Sequence, residues 1–187
     1  MTAELGAADL WVFGYGSLIW RPGFSFEESV AARLHGYHRS LCVFSHVHRG
    51  TPERPGLVLG LDRGGLCRGL AFRVAAEQAQ ETIAYLRARE QATMVYLERH
   101  MPVRLDDGRQ VKALVYVADR RHLQYAGRLP PNELLALVRQ GRGSSGENPD
   151  YVLKTHEHLR KMGIFDPVLA ALAQELAPGL GEPRAHL

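Results

Sequence analysis

The stretch TMVYLERHMPVRLDDGRQVKALVYV, residues 93–117, is where the fold becomes readable. Two runs rich in β-branched and aromatic residues, 93–105 and 111–117, flank the tetrapeptide Asp-Asp-Gly-Arg. Asp-Gly supplies the positive φ angles that a tight hairpin needs, so the two runs are expected to be antiparallel neighbours. Working outward, further apolar or alternating runs at 10–13, 36–44, 57–61 and 66–74 read as strands, most of them bounded by Gly, Pro or Asp. Helical patterns are fewer. Residues 77–90 combine good helix formers without Gly or Pro, and 132–140 follow two prolines. A third helix has readable ends, with Asn148 as N-cap, Pro149 at the first helical position and Gly163 just past the last turn. A fourth covers 167–176 and precedes a tail rich in Pro and Gly. Strands fill the first two thirds with one helix inserted, and helices fill the last third. That order predicts an α+β fold with a mixed, mostly antiparallel, barrel-like sheet and packed helices. A single domain is expected over 1–187, its core at about 11–169 and a C-terminal helix and tail at 170–187.

Composition supports a globular reading. The chain has 187 residues, 45% hydrophobic and 23% charged, close to the averages for soluble proteins and unlike disorder or coiled coil. Its net charge of +3 comes from 23 Lys and Arg scattered among 20 acids, so no nucleic-acid footprint is present. The two cysteines, Cys42 and Cys67, lie in apolar segments and read as free core thiols. No leader pattern opens the chain, and no apolar run approaches the ~18 residues that span a bilayer. A cytoplasmic protein without a membrane partner is expected.

The segment WVFGYGSLIWRPGF, residues 11–24, sets a glycine-flanked tyrosine at the end of the first strand. The dinucleotide fingerprint fails because Ile19 stands where a third glycine belongs, and the phosphate-loop and nucleophile-elbow frames are absent. Two readings remain: a strand-to-loop turn, or a turn whose amides face a carboxylate or an oxyanion.

Glu90 falls within ~20° of Ile83 in helical projection, in line with the apolar stripe of 77–90. Burial and the negative end of the helix would raise its pKa toward neutrality, which suits proton exchange. The competing readings are a solvated Glu90 or one paired with Arg87. Glu81 projects to the opposite face and reads as surface. His46 and His48 would share a strand face, yet no Cys or carboxylate spacing completes a metal site, so no metal is expected. The loop SHVHRGTPERPG, residues 45–56, offers His48 or Arg49 to an anionic ligand, or is simply solvated. GRGSSGENPDY, residues 141–151, either presents a helix N-terminus to an anion or is a flexible connector.

Taken together, VFGYGSLIWRPGF, HRGTPERPG, CRGLAFRV, YLRARE, ALVYVAD, GSSGENPDYVLKT and MGIFDPVL, in that order between residues 11 and 169, resemble the ChaC-type γ-glutamylcyclotransferases, which act on glutathione. The resemblance implies the γ-glutamylcyclotransferase-like fold and no cofactor. It implies that Tyr15, Gly16, Ser17 and Leu18 line the γ-glutamyl pocket and that Glu90 is the catalytic acid/base. Asn148 and Tyr151 match the family's later motif. The chain departs from the family pattern just after Glu90, where it reads QATMVYLER. The implied reaction is attack of the γ-glutamyl α-amine on its own γ-carbonyl, giving 5-oxoproline and Cys-Gly. Arg49 or the 141–151 loop is a candidate for the distal glycine carboxylate. The alternatives are another γ-glutamyl dipeptide or γ-glutamylamine as substrate, or a non-enzymatic regulator of a membrane transporter.

Overall fold

The computed structural model describes residues 8–90 and 93–177; the expected C-terminal tail lies largely outside them. Five strands close into a barrel: β1 (Leu10–Gly14), β2 (Glu28–Ser45), β3 (Gly56–Val74), β4 (Tyr96–Leu105) and β5 (Gln110–Ala118), in the order β1-β3-β2-β4-β5. Every pairing is antiparallel except that of β1 with β5, which closes the barrel. The sheet is therefore mixed and mostly antiparallel.

The Asp-Gly turn forms where residues 93–117 place it. Gly108 takes φ 94°, the Leu105 amide donates to Arg109 O at 2.8 Å, and Val103 faces Val111 across the ladder. Elsewhere the strands are longer than their sequence runs. Residues 57–61 and 66–74, expected as two strands, are one strand in β3, and β2 begins eight residues before Gly36. The reason is a paired kink. Gly36 on β2 and Gly64 and Gly65 on β3 all have positive φ, and the register shifts between His35 and Tyr37. A bulge of this kind bends the ribbon without ending it, which lets two long strands wrap a small barrel.

After a short 3₁₀ turn at Ala76–Gln78, α1 (Ala79–Glu90) leaves the end of β3 and buries Leu86. The later helices are α2 (Pro131–Gln140), α3 (Asn148–Lys161) and α4 (Pro167–Leu176), with a two-residue-per-strand hairpin of β6 (Arg142–Gly143) and β7 (Gly146–Glu147) before α3. One buried cluster takes Phe13, Leu34, Leu57, Val103 and Val115 from the barrel strands together with Val138, Leu159 and Leu169 of the last three helices. A second takes intervening residues, Val12, Phe72 and Leu114, and joins them to Leu86 of α1. Alternate residues of β1, β3 and β5 are thus buried on both faces, as expected for a sheet covered on both sides.

Gly163 ends α3 in the left-handed conformation, with the Ile164 amide donating to Leu159 O at 2.8 Å. Asn148 does not cap this helix; Glu147 occupies the cap position, without a side-chain bond. The Asn148 side chain is fully buried and grips the β3 backbone, accepting from Leu57 N and donating to Leu57 O, each at 2.7 Å. It fastens α3 to the first residues of β3.

Candidate active site

The barrel topology brings the ends of β1, β2 and β5 and the beginnings of β3 and β4 to one mouth. A cavity of about 400 Å³ opens there, lined by Phe13, the turn from Tyr15 to Leu18, Val58, Tyr116 and residues of α1 and α3. That volume lies within the ~300–1,000 Å³ range of small-molecule sites. Tyr15, Gly16, Ser17, Leu18, Arg49, Glu90 and Tyr151 all line it.

The Gly-Tyr-Gly turn enters the mouth at the end of β1. A Cβ on Gly14 would lie 3.0 Å from Leu18 Cβ and 3.1 Å from the Phe72 ring, and one on Gly16 would press on the Tyr151 hydroxyl at 3.4 Å. Gly14 serves close packing, whereas Gly16, at φ −133° and ψ −123°, takes a torsion outside the regions open to most side-chain-bearing residues. A 3₁₀ turn, Ser17–Ile19, follows. Its last amides bond back to Gly16 O and Ser17 O, while the amides of Gly16, Ser17 and Leu18 have no acceptor among the described residues. Unsatisfied donors at the start of a helical turn suit an anion or an oxyanion.

Glu90 is the last residue of α1, and its side chain is 18% exposed. Burial pushes its carboxyl above the ordinary glutamate range, opposed by the charge of Arg89, whose Nε lies 3.3 Å from Oε1. Arg87 is not its partner. Arg87 instead forks onto Glu98 of β4, donating at 2.9 and 2.8 Å, and these bonds hold the Glu98 carboxyl below its usual range. Glu81 is exposed, on the face expected of it.

Five tyrosines line the cavity: Tyr85 accepts from Arg89, and Tyr15, Tyr96, Tyr116 and Tyr151 form the barrel side of the wall. Tyr15 Oη donates to Tyr116 O at 3.0 Å and Tyr96 Oη to Leu59 O at 2.7 Å, while Tyr151 Oη accepts from Leu59 N at 3.1 Å. Burial raises the phenols of Tyr15, Tyr96, Tyr116 and Tyr151, the last to about 12, with the charge of Glu90 adding to each. They are O–H donors at neutral pH, not bases. Tyr96 and Tyr116 are site residues that sequence reading missed; both sit in apolar strand runs and look like ordinary core there.

His46 and His48 do not share a strand face, because β2 ends at Ser45 and the chain turns. No group of three metal-binding side chains occurs among the described residues. His48 Nδ1 shares a hydrogen bond with Ser145 Oγ at 2.9 Å, and burial together with nearby arginine charge lowers its pKa. The 141–151 segment is neither connector nor open helix end. It forms the β6–β7 hairpin strapped to the 47–49 loop, with the amides of Ser144 and Ser145 bonded to Val47 O and His48 O at 2.8 and 3.0 Å. Of this segment, Ser145 and Tyr151 reach the cavity. The strap holds Arg49, which is 7% exposed, donates to Glu147 O at 3.0 Å and sits 5.5 Å over the Tyr151 ring. Arg21 also lines the cavity, with no hydrogen bond from its side chain among the described residues. Among the described residues that line the cavity, Arg21, Arg49 and Arg89 outnumber the single carboxylate, Glu90, so the cavity favours an anionic ligand.

Residues 10–177 match the family described as ChaC-like protein. Over 173 residues the chain is 35% identical to the glutathione-specific γ-glutamylcyclotransferase of Escherichia coli K12, covering 92% of this chain and 75% of that one. It is also 35% identical to glutathione-specific γ-glutamylcyclotransferase 1 of Danio rerio, covering 91% and 90%. In fold it superposes on a crystal structure of a γ-glutamylcyclotransferase specific to glutathione from yeast, with a TM-score of 0.83 over 90% of this chain and 96% of that one, at 24% identity.

Proposed function

The chain belongs to the ChaC-like protein family, and from that premise we propose that it is a glutathione-specific γ-glutamylcyclotransferase, with Glu90 as its acid/base. The observation that carries the reading is a single carboxylate, of raised pKa, at the end of α1 in a cavity that also presents Arg21, Arg49 and the turn after β1.

Glutathione brings both reactants to the site. Its α-ammonium must lose a proton before the nitrogen can attack the γ-carbonyl carbon, and the Cys-Gly nitrogen must gain one to leave. Ionised Glu90 accepts the first proton. The new C–N bond closes a five-membered ring, and negative charge moves to the carbonyl oxygen. The amides of Gly16, Ser17 and Leu18 stabilise that charge. Glu90 then returns its proton to the Cys-Gly nitrogen as the old C–N bond breaks, and the second proton of the ring nitrogen passes through the same carboxylate to the released amine, giving neutral 5-oxoproline and Cys-Gly as its ammonium with no net consumption of water. Acid/base catalysis of this kind contributes ~10²–10⁴-fold, and holding amine and carbonyl ~3–3.5 Å apart contributes more.

Glutathione carries two carboxylates, and the cavity carries two arginines with donors to spare. Arg21 and Arg49 meet these carboxylates, while Tyr15 and Tyr151 border the glutamyl unit. We place the protein in the cytoplasm, a reading supported by its buried, unpaired Cys42 and Cys67.

Purified protein incubated with glutathione tests the reading, with both products followed by mass spectrometry. Equimolar 5-oxoproline and Cys-Gly are expected from the wild type and neither from Glu90→Gln. Turnover of γ-glutamylamines or other γ-glutamyl dipeptides without turnover of glutathione would refute the substrate assignment.

A further inference from the structure

The guanidinium next to Glu90 is unusual in how completely the protein uses it. Arg89 Nη1 donates to Arg21 O at 2.6 Å, Pro22 O at 3.1 Å and the Tyr85 hydroxyl at 3.0 Å. Its Nη2 donates to Ser17 Oγ at 2.9 Å, and its Nε faces Glu90 Oε1 at 3.3 Å. A guanidinium has five N–H groups; both on Nη1 and one on Nη2 are bonded within the chain, and the Nε edge lies in ion-pair contact with Glu90. Little remains for a ligand, in contrast with Arg21 and Arg49. The partners are also informative. Ser17 belongs to the turn whose amides face the cavity, Arg21 and Pro22 follow that turn, and Tyr85 lies one helical turn back on α1.

We propose that Arg89 is a positioning residue that fixes the 17–22 segment and the Glu90 carboxylate in one rigid frame, so that oxyanion donors and base keep a set separation. This rests on the reading of Glu90 as the base. The sequence shows only an Arg-Glu pair at a helix end; the assignment comes from the direction of the fork, which points across to the turn after β1. The planar fork is what the role requires, since an ammonium concentrates its three donors at one point and cannot span the acceptors that Nε, Nη1 and Nη2 reach on separate edges.

Among the described residues, Arg89 is also the cation in ion-pair contact with Glu90. The other titratable or charged groups around the cavity, among the described residues, are Tyr15 on the turn, Tyr85 on α1, Tyr96 on β4, Tyr116 on β5, Tyr151 on α3, His46, His48 and Arg49 after β2, and Arg21. Burial raises the phenols of Tyr15, Tyr96, Tyr116 and Tyr151, so they stay neutral at working pH, and burial drives Glu90 upward against the charge of Arg89. Removing the guanidinium charge therefore raises the Glu90 pKa and moves the acidic limb of kcat/KM to higher pH.

The test compares Arg89→Gln, Arg89→Lys and Glu90→Gln by pH profile, with kcat and KM separated and thermal midpoints measured. Arg89→Gln is expected to lower kcat at least ~10-fold, in keeping with the cost of small displacements at a reacting centre. Its acidic limb should lie about one pH unit above that of the wild type, as loss of an adjacent opposite charge requires. Arg89→Lys keeps the charge and loses the fork, so kcat should fall while the limb stays. Wild-type kcat in folded Arg89→Lys overturns the positioning role, and so does an unmoved limb in folded Arg89→Gln. If Arg89→Gln does not fold, Arg89→Lys alone decides. Activity retained in Glu90→Gln instead removes the base assignment on which the proposal stands.

Discussion

The two ends of the barrel treat charge in opposite ways. At the end away from the cavity, Glu28, Arg73, Arg109, Asp9 and Asp107 satisfy one another: Arg73 donates to Glu28 at 3.0 Å and to Asp9 at 2.8 Å, while Arg109 bonds both Asp107 and Glu28. At the mouth, Arg21 and Arg49 have no carboxylate within ion-pair distance among the described residues, and the carboxylate of Glu90 is held above its normal pKa. Side chains that serve the fold are matched within the chain, whereas on the proposed function Arg21, Arg49 and Glu90 at the mouth are left for a ligand that carries carboxylates and an ammonium. The same contrast holds between two glutamates near one another in the fold, Glu98 forked by Arg87 and Glu90 facing the cavity. Environments that push two carboxyl groups apart mark the one available for proton transfer.

Substitutions that sharpen this comparison have a clear ranking. Glu90→Gln should lower kcat on glutathione at least ~10²-fold, measured by initial rates, while Glu98→Gln stays far closer to wild type. Arg49→Met and Arg21→Met should each raise KM ~10-fold or more with a smaller change in kcat, the scale of a lost charge-assisted hydrogen bond. Asn148→Ala breaks the clamp on Leu57 and leaves a buried donor and acceptor open, so unfolding in urea should show a loss of about 3 kcal/mol. Arg109→Gln, at the closed end, should leave kcat/KM within about twofold because exposed ion pairs contribute little.

Stability should separate the two glutamates by sign. The folded-state pKa of Glu90 lies above its unfolded value, so its ionisation opposes folding. That penalty is absent below the unfolded pKa and complete above the folded one. Glu90→Gln should therefore raise the thermal midpoint at neutral pH, and the gain should vanish in acid. Glu98 has a lowered folded pKa, so its contribution is present above the unfolded value and is lost as pH falls through the folded one. Glu98→Gln should lower the midpoint at neutral pH, and the two curves should converge in acid.

Local chemistry made part of this molecule legible in the sequence. Asp107-Gly108 dictates a turn, and Gly163 stops a helix, because each needs only its immediate neighbours. The register that lines Glu90 up with an apolar stripe also follows from helical geometry alone. Other features depend on distant partners. The first half of β2, with Ala31, Ala32 and Arg33, lacks a strand-like composition and becomes one through pairing with β3. Gly64-Gly65 reads as a turn and is a bulge, because Gly36 opposite bends with it. Asn148 resembles a cap until Leu57 is beside it, and Arg89 resembles a surface residue until the turn after β1 lies under its fork. Residues separated by some 70–90 positions meet in these contacts, and no local pattern encodes them.

The most direct test of ring closure at this mouth is the reaction of glutathione in ¹⁸O-enriched water, with every γ-glutamyl product analysed by mass spectrometry. Intramolecular attack by the α-amine predicts 5-oxoproline without ¹⁸O, in equal amount to Cys-Gly. Glutamate carrying ¹⁸O would mean that water is the nucleophile, and the account given for Glu90 and the turn after β1 would fail.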